Sequence, residues 1–287
     1  MAEMIIDSHT HIINQREPVW GWGPHFNFQS LIAMMDKGYD VMGEIKTVEK
    51  AIVMTGLGLT SVEHKTILEA HQYALLAIEK HKKRLYMAPV LNPRAWGAED
   101  LDILNDWQKN NNLCMLKLHP SMHNYYLPSY NPYPNESSKK LIYPVFEKAR
   151  ELGVPLMMHQ GETPYAMPAQ VAPIAEAFPD VPIVVAHSGA NNIPALANDA
   201  ILLARTHDNI FLGTSWVQAP ELNQMYHALG AEKIIFESDC SPVSQGHALR
   251  FVTNLHLPPP LGVGASREEV YKMIGGNIAG LCGIPTE

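Results

Sequence analysis

A chain of 287 residues that is 46% hydrophobic and 17% charged has the make-up of a folded globular protein and can bury a full core as one domain, here residues 1–287. Its formal net charge of −8 comes without a basic cluster, which excludes nucleic acid as a partner because phosphate recognition needs a basic footprint. No apolar run reaches the roughly 20 residues of a membrane span, no basic-then-apolar leader opens the chain, and three scattered cysteines make no disulfide framework, so a cytoplasmic address is expected by default.

The first predicted strand, Ile5-Ile6-Asp7-Ser8-His9-Thr10-His11, places two histidines on one side, about 7 Å apart along the strand. Two such imidazoles can close on one cation, each nitrogen about 2.0–2.1 Å from it. Glycine and proline punctuate residues 14–28 into a loop, and its Trp20 and Trp22 are candidate pocket walls. A helix is expected over residues 29–36 and a strand over 51–54. Helical spacing of Ile67, Leu68, Ala70, Ala74, Leu75 and Ile78 marks a long helix within 61–83. Basic residues gather at its negative end, and His64, His71 and His81 read as packing or solvent-facing groups.

A strand over 85–91 ends at Asn92-Pro93-Arg94, and a helix over 100–110 leads to the strand Cys114–His119. Residues 120–137 carry Tyr125, Tyr126, Tyr130 and Tyr133 among prolines, the pattern of a lid or binding loop. Ser137 and Ser138 are expected to cap a helix that runs to Leu152, before a strand ending at His159. A helix over 168–178 precedes the strand to His187. Strands at 210–214 and 233–239 follow, the last ending in Glu237-Ser238-Asp239, with a helix at 220–229 between them. Ser266-Arg267-Glu268-Glu269 is a capping box, and Gly275-Gly276-Asn277 reads as a turn.

Eight short strands with continuous apolar runs, alternating with helices, predict an α/β fold of the (β/α)8 TIM-barrel type. No Gly-x-Gly-x-x-Gly follows the first strand, which weakens the dinucleotide-binding alternative. In a barrel the C-terminal strand ends share one mouth, so His9, His11, Lys117, His119, His159, His187 and Asp239 would gather there. Nitrogen and carboxylate ligands suit Zn2+ or a similar divalent ion, which lowers the pKa of bound water to about 7. Asp239 is then a candidate general base. His187 is a candidate ligand, or polarises substrate and serves as acid. Lys117 either salt-bridges substrate or Asp239, pairs structurally with a carboxylate, or is carbamylated and bridges two metals.

The His-x-His strand, Met158-His159, Ala186-His187-Ser188-Gly189, the final-strand Asp239 and the closing Gly276-Asn277-Ile278-Ala279-Gly280-Leu281 together resemble the amidohydrolase superfamily. The likeness is to its amidohydrolase-related (amidohydrolase 2) branch of barrel hydrolases and decarboxylases. This resemblance implies His9, His11, His159 and Asp239 as metal ligands, His187 as the catalytic or substrate-orienting histidine, and a second metal only if Lys117 is carbamylated. Glu237 and Cys240 depart from the branch, which more usually has Gly-Ser/Thr-Asp-Tyr/Trp-Pro.

The leading expectation is therefore hydrolysis of an amide, ester or lactone of a small molecule by a metal-activated water. The alternative is non-oxidative decarboxylation of an aromatic or unsaturated carboxylic acid, which needs a cationic clamp such as Arg94 or Arg250. A barrel keeping a metal only for stability would not leave Lys117 and His187 spare at the mouth. Arg94, Trp22 and Tyr125 are the candidate substrate contacts. A homodimer is expected by analogy with relatives.

Overall fold

The computed structural model describes residues 3–13, 26–55, 61, 63–130, 135–240 and 242–286. Strand β1 (Ile6–Ile12) is buried along its whole length. It pairs in parallel with β4 (Lys50–Thr55), which pairs with β5 (Leu85–Met87). The chain continues the same stave as β6 (Val90–Leu91), which pairs with β7 (Leu116–Leu118). In order follow β8 (Leu156–His159), β9 (Ile183–Ala186), β10 (Ile210–Gly213) and β11 (Ile234–Ile235), each parallel to the one before. Counting β5 and β6 as one stave, these are the eight that the apolar runs predict.

The last stave returns to the first. Phe236 O accepts from Ser8 N–H at 3.3 Å, His9 O accepts from Asp239 N–H at 2.9 Å, and Thr10 bridges Cys240 in parallel. Asp7 stitches this seam with its buried carboxylate, which accepts from Ser238 N–H (3.0 Å), Ser238 Oγ–H (2.6 Å) and Gln245 Nε2–H (2.9 Å).

Strand alternation sorts the side chains. Leu116, Leu118, Leu156, Met158, Ile183 and Val185 point outward into the layer beneath the helices, whereas Met157, Val184, Ala186 and Ile235 point into the barrel. Period two therefore sends Lys117 and His159 inward as well. Outside, helix α2 (His64–Lys80) presses Ile67, Ala70, Ala74, Ala77 and Ile78 onto the staves. His71 lies on the same face as a buried core residue whose Nε2 accepts from Val90 N–H at 3.0 Å. The expected capping box forms: Ser266 Oγ accepts from Glu269 N–H, and Glu269 Oε2 accepts from Ser266 N–H.

Three expectations need correction. The helix ending at Leu152 starts at Asn135, so Ser137 and Ser138 lie inside it rather than capping it. Gly275-Gly276 forms a wide helical turn (Lys272–Gly276) continuous with the closing helix (Asn277–Cys282). A Cβ on Gly275 would collide with the carbonyl of Met4, so glycine serves close packing there and not a turn. The last strand is regular only at Ile234–Ile235. The hairpin β2 (Tyr39–Val41) and β3 (Glu44–Lys46) was not foreseen. It turns through Met42 and Gly43, both at positive φ, as two-residue hairpin turns require.

Candidate metal centre

A register shift in β1 between Asp7 and Thr10 is a bulge, and a bulge re-aims neighbouring side chains. Beyond it, Thr10 Oγ1–H is tied to Ile52 O at 2.9 Å, while His9 and His11 share the barrel interior with Nε2 atoms 3.0 Å apart. Asp239 completes a triangle, its Oδ1 3.4 Å from His9 Nε2 and 3.2 Å from His11 Nε2. Ligand atoms about 2.0–2.1 Å from one ion at tetrahedral angles stand roughly 3.3–3.4 Å apart. The three edges match that face, so the residues fit a divalent ion.

The triangle opens into a cavity of about 280 Å3 that is also lined by Lys117, His119, Met122, His159, Glu162, His187, Asn191, Asn192, Trp216 and Pro242. Burial holds the His9, His11, His159 and His187 rings below the usual imidazole range, and the Lys117 charge adds to this. Neutral imidazole is the form that binds metal. Burial pushes the Asp239 carboxyl up, but the neighbouring His9 and His11 rings and the Trp216 indole hold it well below the ordinary carboxylate range. Lys117 is fully buried with Nζ 3.3 Å from His9 Nε2. Burial draws its ammonium down to about 8, against the opposing pull of Glu237 and Asp239.

Backbone strain concentrates at this mouth. His187, Ser188, Trp216 and Asp239 all hold φ between 47° and 63°, a region costly for non-glycine residues and commonest where a side chain must be aimed. Trp216 is aimed at Asp239: its indole Nε1–H donates to Oδ2 at 2.6 Å.

Not every expected residue converges. His159 lies in the cavity outside the tight triangle. Its Nδ1 is 3.1 Å from His187 Nε2, its Nε2 is 3.4 Å from Glu162 Oε1, and its ring stacks on His119 at 3.6 Å. Arg94 does not reach the cavity. Its guanidinium donates to the carbonyls of His123 and Asn124 (3.3 and 3.1 Å), clasping the turn after stave four. Tyr125 is buried in that turn and faces a separate depression with Arg94. Arg250 lines another groove, of about 660 Å3, with Tyr39, Asp40 and His247, and that groove holds none of the ligand triangle. Trp20, Trp22 and Tyr133 lie outside the described residues.

Besides Met122 and Pro242, sequence reasoning missed four polar or aromatic lining residues: Glu162, Asn191, Asn192 and Trp216. Each of these four follows a stave end by six residues or fewer, so strand-end position places them near the mouth without saying which way they point. Burial raises Glu162, yet its contacts with His159, Ser121 and Asn191 carry it down to about 2. Both asparagines donate to its Oε1, at 3.2 and 2.9 Å. Glu237, seen in the sequence only as a departure, is fully buried just beneath the site. Among the described residues no helix is long and apolar enough to cross a membrane.

The profile of the protein family described as Amidohydrolase matches residues 6–284. No curated protein matches by sequence, but solved structures superpose over nearly the whole chain. The 5-carboxyvanillate decarboxylase LigW from Sphingomonas paucimobilis is 14% identical with a TM-score of 0.68, covering 99% of this chain and 100% of its own. A dihydroxybenzoic acid decarboxylase from Polaromonas sp. JS666, with bound manganese and the inhibitor 2-nitroresorcinol, is 14% identical with a TM-score of 0.68, covering 98% and 97%. The 4-oxalomesaconate hydratase LigJ from Rhodopseudomonas palustris is 15% identical with a TM-score of 0.64, covering 98% and 96%. At such identities the likeness establishes the barrel fold and leaves the reaction to the site.

Proposed function

We propose, from the premise that this chain belongs to the amidohydrolase family, that it is a metal-dependent non-oxidative decarboxylase of a small aromatic or unsaturated carboxylic acid. The alternative reading of the sequence thus replaces the leading one, hydrolysis. The observation that carries this choice is the commitment of both Asp239 oxygens. Oδ1 closes the ligand triangle and Oδ2 receives the Trp216 indole N–H. With both oxygens engaged, Asp239 is not free to take a proton from an attacking water, the role that hydrolysis would give it. The activities of the decarboxylases from Sphingomonas paucimobilis and Polaromonas support the same direction.

His9, His11 and Asp239 would hold the ion, with His159 as the fourth ligand on the family's pattern. Nitrogen and carboxylate donors accept zinc and manganese alike, and manganese is the ion in the Polaromonas enzyme. Once bound, the ion supplies positive charge that polarises the substrate's oxygens. Lys117 is the only lysine or arginine among the described residues lining the cavity. It takes the role the sequence offered to Arg94, drawing the carboxylate in as a buried ammonium. Decarboxylation breaks the bond to the carboxyl carbon, leaves the electron pair on the substrate carbon and releases CO2. A proton must then reach that carbon, and the Lys117 ammonium carries one within the cavity. Stacked His119 and His159 and the Trp216 indole offer flat walls. The volume of about 280 Å3 sits near the roughly 300 Å3 lower end of ligand pockets, which suits a single-ring acid.

The test is to load purified protein with manganese or zinc and offer aromatic acids, unsaturated acids, esters and lactones, following CO2 release and hydrolysis in parallel. CO2 from a ring or alkene acid is the expected result. Ester or lactone turnover with no CO2 from any acid overturns the proposal.

A further inference from the structure

Glu237 departs from the pattern that the sequence resemblance implies, and the fold makes room for it. The facing stave offers Gly213, where a Cβ would overlap the Glu237 carboxylate. The carboxylate is fully buried and meets a defined set of partners. Oε1 accepts from His187 N–H at 2.5 Å and from Ser215 Oγ–H at 2.7 Å. Oε2 faces His9 Nδ1 at 3.4 Å, and neither of those two buried atoms has another hydrogen-bond partner.

With the Glu237 carboxylate ionised, the protons along these contacts take one arrangement. The single Ser215 hydroxyl proton goes to Glu237, so Ser215 Oγ must accept from His187 Nδ1–H, 2.7 Å away. His187 Nε2 is then bare, and it accepts from His159 Nδ1–H at 3.1 Å. That leaves His159 Nε2 bare, facing Glu162 Oε1 at 3.4 Å, a pair of lone-pair atoms that a cation between them would satisfy. On the other branch, Oε2 stands 3.4 Å from His9 Nδ1, which favours the proton of that ring on Nδ1 and leaves the bare His9 Nε2 facing His11 and Asp239.

We infer that Glu237 is a positioning residue which, directly through His9 and by way of Ser215 through His187 to His159, fixes three imidazoles as Nδ1–H tautomers. His9 and His159 then present an unprotonated Nε2 to the cavity. An imidazole's partner on one nitrogen decides which nitrogen is free for a ligand. Here one carboxylate makes that decision for rings on three different staves. The inference rests on the proposed site for which rings hold the ion, but the tautomers themselves do not depend on the reaction.

The experiment is 15N–1H long-range correlation NMR of the full chain labelled at histidine, with metal affinity measured by calorimetry using Mn2+ and Zn2+ alone. In the wild type His9, His159 and His187 are expected to show the Nδ1–H pattern. Ser215→Ala should scramble His187 and His159 and leave His9 unchanged, a selectivity that general loosening of the fold would not produce. Ser215→Thr, which keeps the hydroxyl, should restore the pattern. Glu237→Gln should scramble all three and weaken metal binding about 10- to 100-fold. Because a buried substitution at 237 risks misfolding, the serine pair carries the decision by itself. Nδ1–H patterns unchanged in Ser215→Ala, or metal affinity within twofold of wild type in a folded Glu237→Gln, overturn the inference. Failure to find any decarboxylase substrate sinks the functional proposal and leaves these tautomer readings as they stand.

Discussion

Trp216 and Asp239 hold each other from two strained backbone positions, φ 63° and 58°, through an indole-to-carboxylate hydrogen bond of 2.6 Å. A hydrogen bond to a charged group contributes about 1.5–3 kcal/mol, a factor of roughly 10 to 100. Trp216→Phe keeps the flat wall and removes the donor, so kcat/KM should fall by about that factor and the melting temperature by several degrees. Steady-state kinetics on the acid that releases CO2 decide it. An effect below twofold would mean that the contact merely packs the loop.

His11 tests the ligand triangle. His11→Ala removes one corner, and purified protein should lose bound metal and turnover together while its circular dichroism spectrum is kept. Retained activity with lowered thermal stability would instead mark a structural ion.

Lys117 sets an alkaline limb. Its ammonium, held at about 8 by burial, loses its proton as pH rises through that value, so kcat/KM for a carboxylate substrate should decline above pH 8. Lys117→Met should raise KM below pH 8 by removing the cation, with the difference from wild type closing as pH rises above that value. A profile flat to pH 10 would contradict the assigned role.

His71 makes a separate prediction about stability. Burial lowers this core imidazole from the ordinary 6.5 to about 3. As pH falls below 6.5 the unfolded chain binds a proton there that the folded chain refuses, so its contribution to stability is lost progressively down to about pH 3. His71→Gln keeps an acceptor for Val90 N–H and should flatten the acid slope of the unfolding free energy by up to about 1.4 kcal/mol per pH unit. Urea titrations of metal-free protein from pH 7 to pH 4 measure it. Identical slopes would refute the assignment.

Arg94 should be silent in catalysis. Arg94→Ala frees two carbonyls of the His123–Asn124 turn and is expected to lower Tm by about 2–4 °C with KM unchanged. A tenfold rise in KM would return it to the substrate.

The staves were legible because fully covered parallel strands are written as unbroken apolar runs, and Leu156–His159 and Ile183–His187 end on ligand-type residues where the layer pattern stops. Lys117 and His159 followed from alternation alone. Trp216, Asn191 and Glu162 were not legible because loop backbone aims them, by left-handed φ at Trp216 and by hydrogen bonding at Glu162 and Asn191, and neither leaves a periodic trace. Arg94 misled because a guanidinium after a stave looks the same in sequence whether it clasps a carbonyl or a substrate. Glu237 read as an anomaly until Gly213, on the neighbouring stave, showed where its carboxylate fits.

The seam stitched by Asp7 and Ser238 has a bearing on biosynthesis. Two corners of the ligand triangle are made with the first stave, and the third arrives only with Asp239, after seven staves have been made. A nascent chain therefore has no finished cage in which to trap an ion, and loading must wait until the eighth stave has docked beside the first.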